Sequence, residues 1–212
     1  MQKKLIIACD GGAASGKSTG AKLIAKKYKL LLLNSGLYYR YASFLILKHR
    51  PKDITKFLRK KLNKVSYKRI SVLDIHTQEI SKYVPILAQN KTVRKIIDSI
   101  QKKIIKNNNR ICIEGRDIAS KILNKNPKYD IAFYFKCNLK VASLRRWHDL
   151  KKKVPLNEVK RTLRLRTKLD KNRIHSPLIR VKDSILIQSD KLNKNQMLGK
   201  MIASVNKKNL DN

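Results

Sequence analysis

An α/β fold follows from three observations. Five short apolar runs, at 5–9, 30–33, 110–114, 131–137 and 184–188, are brief and bounded by charge or turn residues, as buried strands are. Between them lie longer stretches with helical periodicity, at 37–48, 53–62, 92–106, 139 onward, 157–170 and 194–208. The first apolar run leads directly into Gly11-Gly12-Ala13-Ala14-Ser15-Gly16-Lys17-Ser18, which fits G-x-x-x-x-G-K-[ST], and then into an Ala/Lys/Leu-rich helix. Strand, glycine loop and helix in that order are the setting of a phosphate-binding P-loop.

The small residues of that loop let successive backbone N–H groups point inward at phosphate oxygens, and the helix behind it adds its positive N-terminal end. Lys17 is expected to reach the β- and γ-phosphates, and the Ser18 hydroxyl to ligate Mg²⁺. Thr19 completes the cradle.

The second strand ends in Asn34-Ser35-Gly36, a turn that also offers a helix cap. The helix after it crowds Tyr38, Tyr39, Arg40 and Tyr41 into its first turns, more polar aromatics than a helix core needs. Pro51 breaks the pattern, 64–75 is ambiguous with one strand as an option, and the helical pattern from His76 to 87 is expected to break near Pro85. Residues 37–106 are therefore a mostly helical excursion, a natural substrate lobe. The third strand ends in Glu114-Gly115-Arg116-Asp117, two of only 14 acids within four residues at a strand's carboxyl end, where open α/β sheets bind ligands. The helix from 139 carries Arg145, Arg146 and Trp147, and 151–155 is a loop. Arginine is the minority cation, 14 of 51, yet Arg161, Arg164, Arg166 and Arg173 cluster around the lone acid Asp170. Where planar bidentate phosphate contacts matter, lysine does not replace arginine, so a second phosphate-facing surface is expected there.

At 212 residues the chain suits one α/β domain. Its 51 Lys+Arg against 14 Asp+Glu give a formal net charge of +37. The cations are spread through every segment with no polybasic tail, so compositional drift accounts for them, and no specific nucleic-acid partner is expected beyond salt-sensitive RNA adhesion. Cys9, Cys112 and Cys137 have no metal-ligand spacing and fit a reducing cytoplasm. The first apolar stretch is too short for a signal peptide and no run approaches a membrane span, so a cytoplasmic location without a membrane partner is expected.

The segments GGAASGKST, NSGLYYR, HTQE, VRK, EGRD and RTKLDKNR followed by IHSPL occur in the order found in bacterial cytidylate kinases. The chain resembles that family from about residue 4 to its last helix. The resemblance implies a P-loop NTPase three-layer sandwich with a parallel five-stranded sheet, a helical NMP-binding lobe and an arginine-rich lid. The single kinase domain, 1–212, would then have a core at 1–36 and 107–212, a lid at about 148–160 and an NMP-binding insertion at about 37–106. It implies phosphoryl transfer from MgATP to CMP or dCMP in pyrimidine metabolism, with ATP and Mg²⁺ as cofactors and a monomeric protein.

By the same resemblance, Gly11 to Thr19 hold the donor, Ser18 the metal, and Ser35, Tyr39 and Arg40 the nucleoside monophosphate. Arg94 and Asp117 bear on the cytosine, Arg116 on the acceptor phosphate, and Asp170 on the sugar hydroxyls. Arg166 and Arg173 lie along the substrate and the transferring phosphoryl group, with Lys17, Arg116 and Arg166 carrying catalysis. The chain departs from the family in its substrate lobe: 40–76 is short, His76 replaces an arginine, and Pro85 stands where a base-contacting serine is usual. Two other classes stay open, a P-loop kinase for UMP, AMP or a non-nucleotide acceptor, and a basic nucleic-acid-binding protein with a vestigial P-loop.

Overall fold

The computed structural model describes residues 3–208 and 210. Two compact units divide the chain, one formed by Met1–Leu33 with Asn108–Asn212, the other by Asn34–Asn107. The first carries a five-stranded parallel sheet built from β1 (Leu5–Gly11), β2 (Leu31–Asn34), β3 (Arg110–Gly115), β4 (Ile131–Lys136) and β5 (Ile185–Gln188), in the order β2-β3-β1-β4-β5. Central β1 is buried along its whole length, which is why Leu5 to Cys9 is an unbroken apolar run rather than an alternation. Leu5, Ile7 and Cys9 point to one face, where α1 (Lys17–Lys27) supplies Ala21, Ile24 and Ala25 and α9 (Lys194–Asn206) supplies Met197, Met201 and Val205. Asp10, of opposite parity, points to the other face.

Local chemistry sets the helix ends. α9 begins with a capping box in which Asn193 and Gln196 exchange side-chain-to-backbone bonds, both 2.9 Å. α7 (Leu139–Asp149) starts at Asn138, whose side chain accepts from the Lys140 N–H at 2.8 Å. α8 (Leu156–Asn172) follows, and Ala142 of α7 packs on Val159 and Leu163 of α8 in a small core flanked by Trp147, Leu150 and Val154.

The second unit is helical: α2 (Ser35–His49), α3 (Ile54–Leu62), α4 (Tyr67–Ser71), α5 (Gln78–Leu87) and α6 (Lys91–Lys106). Leu58, Leu62, Ile70, Ile75, Val93 and Ile97 are among its most buried apolar side chains. Stretch 64–75 forms no strand; Ser66 caps the single turn α4 by accepting from the Arg69 N–H at 3.3 Å, and Ile70 anchors it. Nor does Pro85 end its helix, since α5 continues to Leu87. The ring removes only the bond to the Ser81 carbonyl, and burial of Val84 and Leu87 around it holds the last turn.

Tight packing leaves one helix position with no room for a side chain. A Cβ on Gly20 of α1 would stand 2.6 Å from the Phe135 ring in the core. Gly20→Val is therefore expected to cost about 1–3 kcal/mol and lower the thermal midpoint by roughly 2–10 °C. An unchanged melting curve would mean that the ring moves aside freely.

Candidate active site

The carboxyl ends of β1 and β3 lie side by side in the sheet, Asp10 in register with Gly115. Each strand hands the chain to a polar turn there. β1 runs into the glycine loop, where Gly11 has no room for a side chain: a Cβ would meet the Phe135 carbonyl at 2.5 Å and Ser15 Oγ at 2.8 Å. Ala14 (φ 53°) and Gly16 (φ 79°) adopt left-handed backbone, the conformation that curls peptide N–H groups into an anion-binding concavity. The Ser15 hydroxyl is buried without a hydrogen-bond partner among the described residues, an orphan that a phosphate oxygen would satisfy. Ala13 and Ala14 turn their methyl groups to the α7–α8 core beside Trp147 and Leu150.

Lys17 opens α1 and donates to the Gly12 carbonyl at 3.4 Å. The residue as a whole keeps some solvent contact, but its ammonium group is enclosed. That burial, with Arg116 nearby, pushes its pKa down to about 7; Arg166 adds to the depression, and Glu114 and Asp170 oppose it. Ser18 donates to Glu114 Oε2 at 2.6 Å. A hydroxyl beside a buried carboxylate is a hard-oxygen pair that suits Mg²⁺, which keeps several waters and takes the rest of its shell from phosphates. No group of three or more acidic, histidine or cysteine side chains forms a metal cage among the described residues.

After β3, Arg116 and Asp117 meet the end of α8. Arg116 Nε lies 3.1 Å from Asp170, Arg173 lies 3.5 Å from Asp170 and 3.3 Å from Asp117, and all four residues are largely removed from water. Arg116 also donates to the Gly11 carbonyl, tying the charge cluster to the loop. Asp10 was not among the residues singled out from sequence. Its two carboxylate oxygens accept the N–H groups of Ile118 and Ala119, both at 2.8 Å, and so hold the π-helical turn Ile118–Ile122 that follows Asp117. Burial raises its pKa to about 7, partly offset by those two bonds. An acid immediately before a glycine loop was the available signal.

In the helical unit, Ser35 is buried at the start of α2. Arg40 donates to the Ile75 carbonyl at 3.2 Å and to Ser81 Oγ at 3.1 Å. The Arg94 guanidinium sits 5.5 Å from the centre of the Tyr39 ring and donates to the Ala88 carbonyl at 3.2 Å. Ser81, which sequence reading passed over, sits one turn into α5 from its cap Thr77 and donates to the Thr77 carbonyl at 2.7 Å. No described helix is long and apolar enough to cross a membrane. Cys9 and Cys112 are free and buried, with their sulfurs 3.9 Å apart.

Comparison with known proteins extends the picture. A cytidylate kinase family model matches residues 7–207. The bifunctional pantoate ligase/cytidylate kinase of Prochlorococcus marinus is 34% identical over 98% of this chain, which spans 44% of that relative's length. The cytidylate kinase of Phytoplasma mali is 30% identical, with 88% of each chain covered. A solved structure of an uncharacterized protein from Eubacterium ventriosum superposes with a TM-score of 0.57 at 15% identity, over 97% of this chain and 99% of that one, a likeness of fold. With its glycine loop, its paired charges and a family match over nearly its whole length, the chain belongs to the cytidylate kinase family.

Proposed function

We propose that the protein transfers a phosphoryl group from MgATP to CMP or dCMP, giving ADP and the nucleoside diphosphate. The observation that carries this reading is the meeting of P-loop Lys17 with the buried Arg116–Asp170–Arg173–Asp117 cluster, tied together through Gly11. A lone P-loop serves any nucleotide hydrolase. A second set of enclosed guanidiniums beside it is what a reaction between two anions requires.

Each residue then has a task. The loop amides and Lys17 bind the donor phosphates. The Ser18 hydroxyl and Glu114 would hold Mg²⁺, which when bound neutralises charge on those phosphates. Arg116, Arg166 and Arg173 are assigned to the acceptor and the transferring group. Ser35, Tyr39, Arg40 and Arg94 are assigned to the monophosphate and its base, Asp117 to the base and Asp170 to the sugar. A phosphate acceptor is already largely ionised at neutral pH, its second pKa being about 6, so no side chain needs to remove a proton. Pro85 is buried within α5 and its side chain offers no hydrogen-bonding group; on this reading Arg94 and Asp117 select the base.

An ADP-release assay across CMP, dCMP, UMP, AMP and a non-nucleotide alcohol tests the reading. CMP or dCMP should lead by at least tenfold in kcat/KM, and a UMP or AMP lead would reassign the substrate. Lys17→Ala should reduce turnover roughly 10²–10³-fold while leaving the fold intact by circular dichroism; near-normal turnover would remove Lys17 from the donor site. Asp117→Ala should raise KM for CMP at least about tenfold more than it weakens ATP binding, and equal losses would take it out of acceptor recognition.

Lys17 also makes donor binding pH-dependent. With its pKa near 7 instead of 10.5, its ammonium is mostly deprotonated in the free protein above neutrality. Triphosphate beside it favours the charged form, so binding should take up a proton. At pH about 8.5 the uptake should approach one proton per ATP, fading toward pH 6 where Lys17 is already charged. Titration calorimetry in buffers of different ionisation enthalpy reads this directly; no uptake at pH 8.5 would mean that Lys17 is charged before ATP arrives.

A further inference from the structure

Ser189 stands immediately after β5 and is 2% exposed. Its N–H donates to the Lys136 carbonyl at 3.0 Å, and its hydroxyl donates to the carbonyl of Ser15, inside the glycine loop, at 2.7 Å. Arg145 of α7 grips the same residue with both terminal nitrogens, one 3.0 Å from Ser189 Oγ and the other 2.7 Å from the Ser189 carbonyl. The first of these nitrogens also lies 3.6 Å from Cys137 Sγ.

The chemistry of these groups fixes the direction of every bond. A guanidinium has only donors, so Ser189 Oγ must accept from Arg145, and its single proton is left for the Ser15 carbonyl. The peptide joining Ser15 to Gly16 is planar and trans, so its N–H points opposite to its carbonyl. Holding the Ser15 carbonyl toward Ser189 therefore turns the Gly16 N–H to the other side of the loop. Gly16 itself admits the latch: its φ is +79°, and a Cβ there would stand 3.1 Å from Ser189 Oγ and 3.6 Å from Arg145.

We propose that Ser189 and Arg145 are positioning residues for the phosphate donor. Arg145 orients the Ser189 hydroxyl, and the hydroxyl holds the 15–16 peptide with its N–H aimed at the triphosphate. The pair thus sets ATP affinity without touching the acceptor. This rests on the donor half of the function proposed above. It also gives Arg145, a cation that the phosphoryl-transfer reading left without a role, a specific one.

The test is ATP binding to the full chain by titration calorimetry without acceptor, together with KM for ATP, KM for CMP and the thermal midpoint. Ser189→Ala should weaken ATP binding about tenfold and leave KM for CMP within about twofold. Arg145→Lys, which keeps the charge but loses the fork, should weaken ATP binding about threefold or more in the same selective way. The double variant should bind ATP no worse than Ser189→Ala, because Arg145 acts through that hydroxyl. ATP affinity unchanged in Ser189→Ala, equal losses for ATP and CMP, or additive losses in the double variant would each overturn the proposal. If Ser189→Ala does not fold, Arg145→Lys alone decides by the same selective loss. A wild-type protein that binds ATP but turns over none of the acceptors removes the kinase reading alone, and the latch is then judged on binding. One that binds no ATP overturns both.

Discussion

Four enclosed charges, Arg116, Asp170, Arg173 and Asp117, hold the site in shape by holding one another. Stripping water from such groups costs several kcal/mol each, and only close pairing offsets it. None of the four can move far without leaving a partner exposed to that cost. The turn after β3 and the end of α8 are consequently held in mutual register, and the additional bond from Arg116 to Gly11 extends that register to the glycine loop. For a reaction between two anions this is useful twice over. On the function proposed above, the guanidiniums meet the phosphates already stripped of water, and phosphate oxygens can share the pairing that the carboxylates now supply.

The sheet decides where this cluster can be. β1 lies at the centre with β3 on one side and β4 on the other, so the chain crosses sides around it, and the carboxyl ends of β1 and β3 form the crevice that parallel sheets offer to ligands. What leaves each strand there is polar by necessity, because the ladder has ended and backbone groups need partners. Asp10 answers that need for the turn after Asp117, Ser18 and Glu114 answer it for each other, and Ser189 answers it for the Ser15 carbonyl.

Much of the fold was legible in the residues because strands buried on both faces are plain apolar runs and helices carry a periodic stripe. All five strands lie where such runs occur, and the glycine loop announces itself by composition. Legibility failed where local and tertiary preferences part. Stretch 64–75 has no period because its single turn is held by the Ser66 cap, by buried Ile70 and by Tyr67, whose hydroxyl accepts from the Asn34 N–H, and Pro85 is tolerated because the helix around it is already packed. The π-helical turn at 118–122 left no local trace, since its cause, Asp10, is distant in sequence. Among site residues, Lys17 and Ser18 were readable from spacing alone, and the acidic and arginine clusters from their rarity in this composition. Asp10, Ser81, Arg145 and Ser189 were not readable in their roles, because each acts through a contact with a distant segment.

The sequence by itself determined the α/β class, the phosphate loop and the two arginine-bearing segments, since each depends on the order of nearby residues and the local rules of strands, turns and helices. Only the tertiary structure decided which acid pairs with which arginine, that burial lowers the Lys17 pKa to about 7, and that Ser189, held by Arg145, reaches the loop. Those facts belong to desolvation and to hydrogen bonds between segments far apart in the chain, and neither exists until the sheet has brought those segments together.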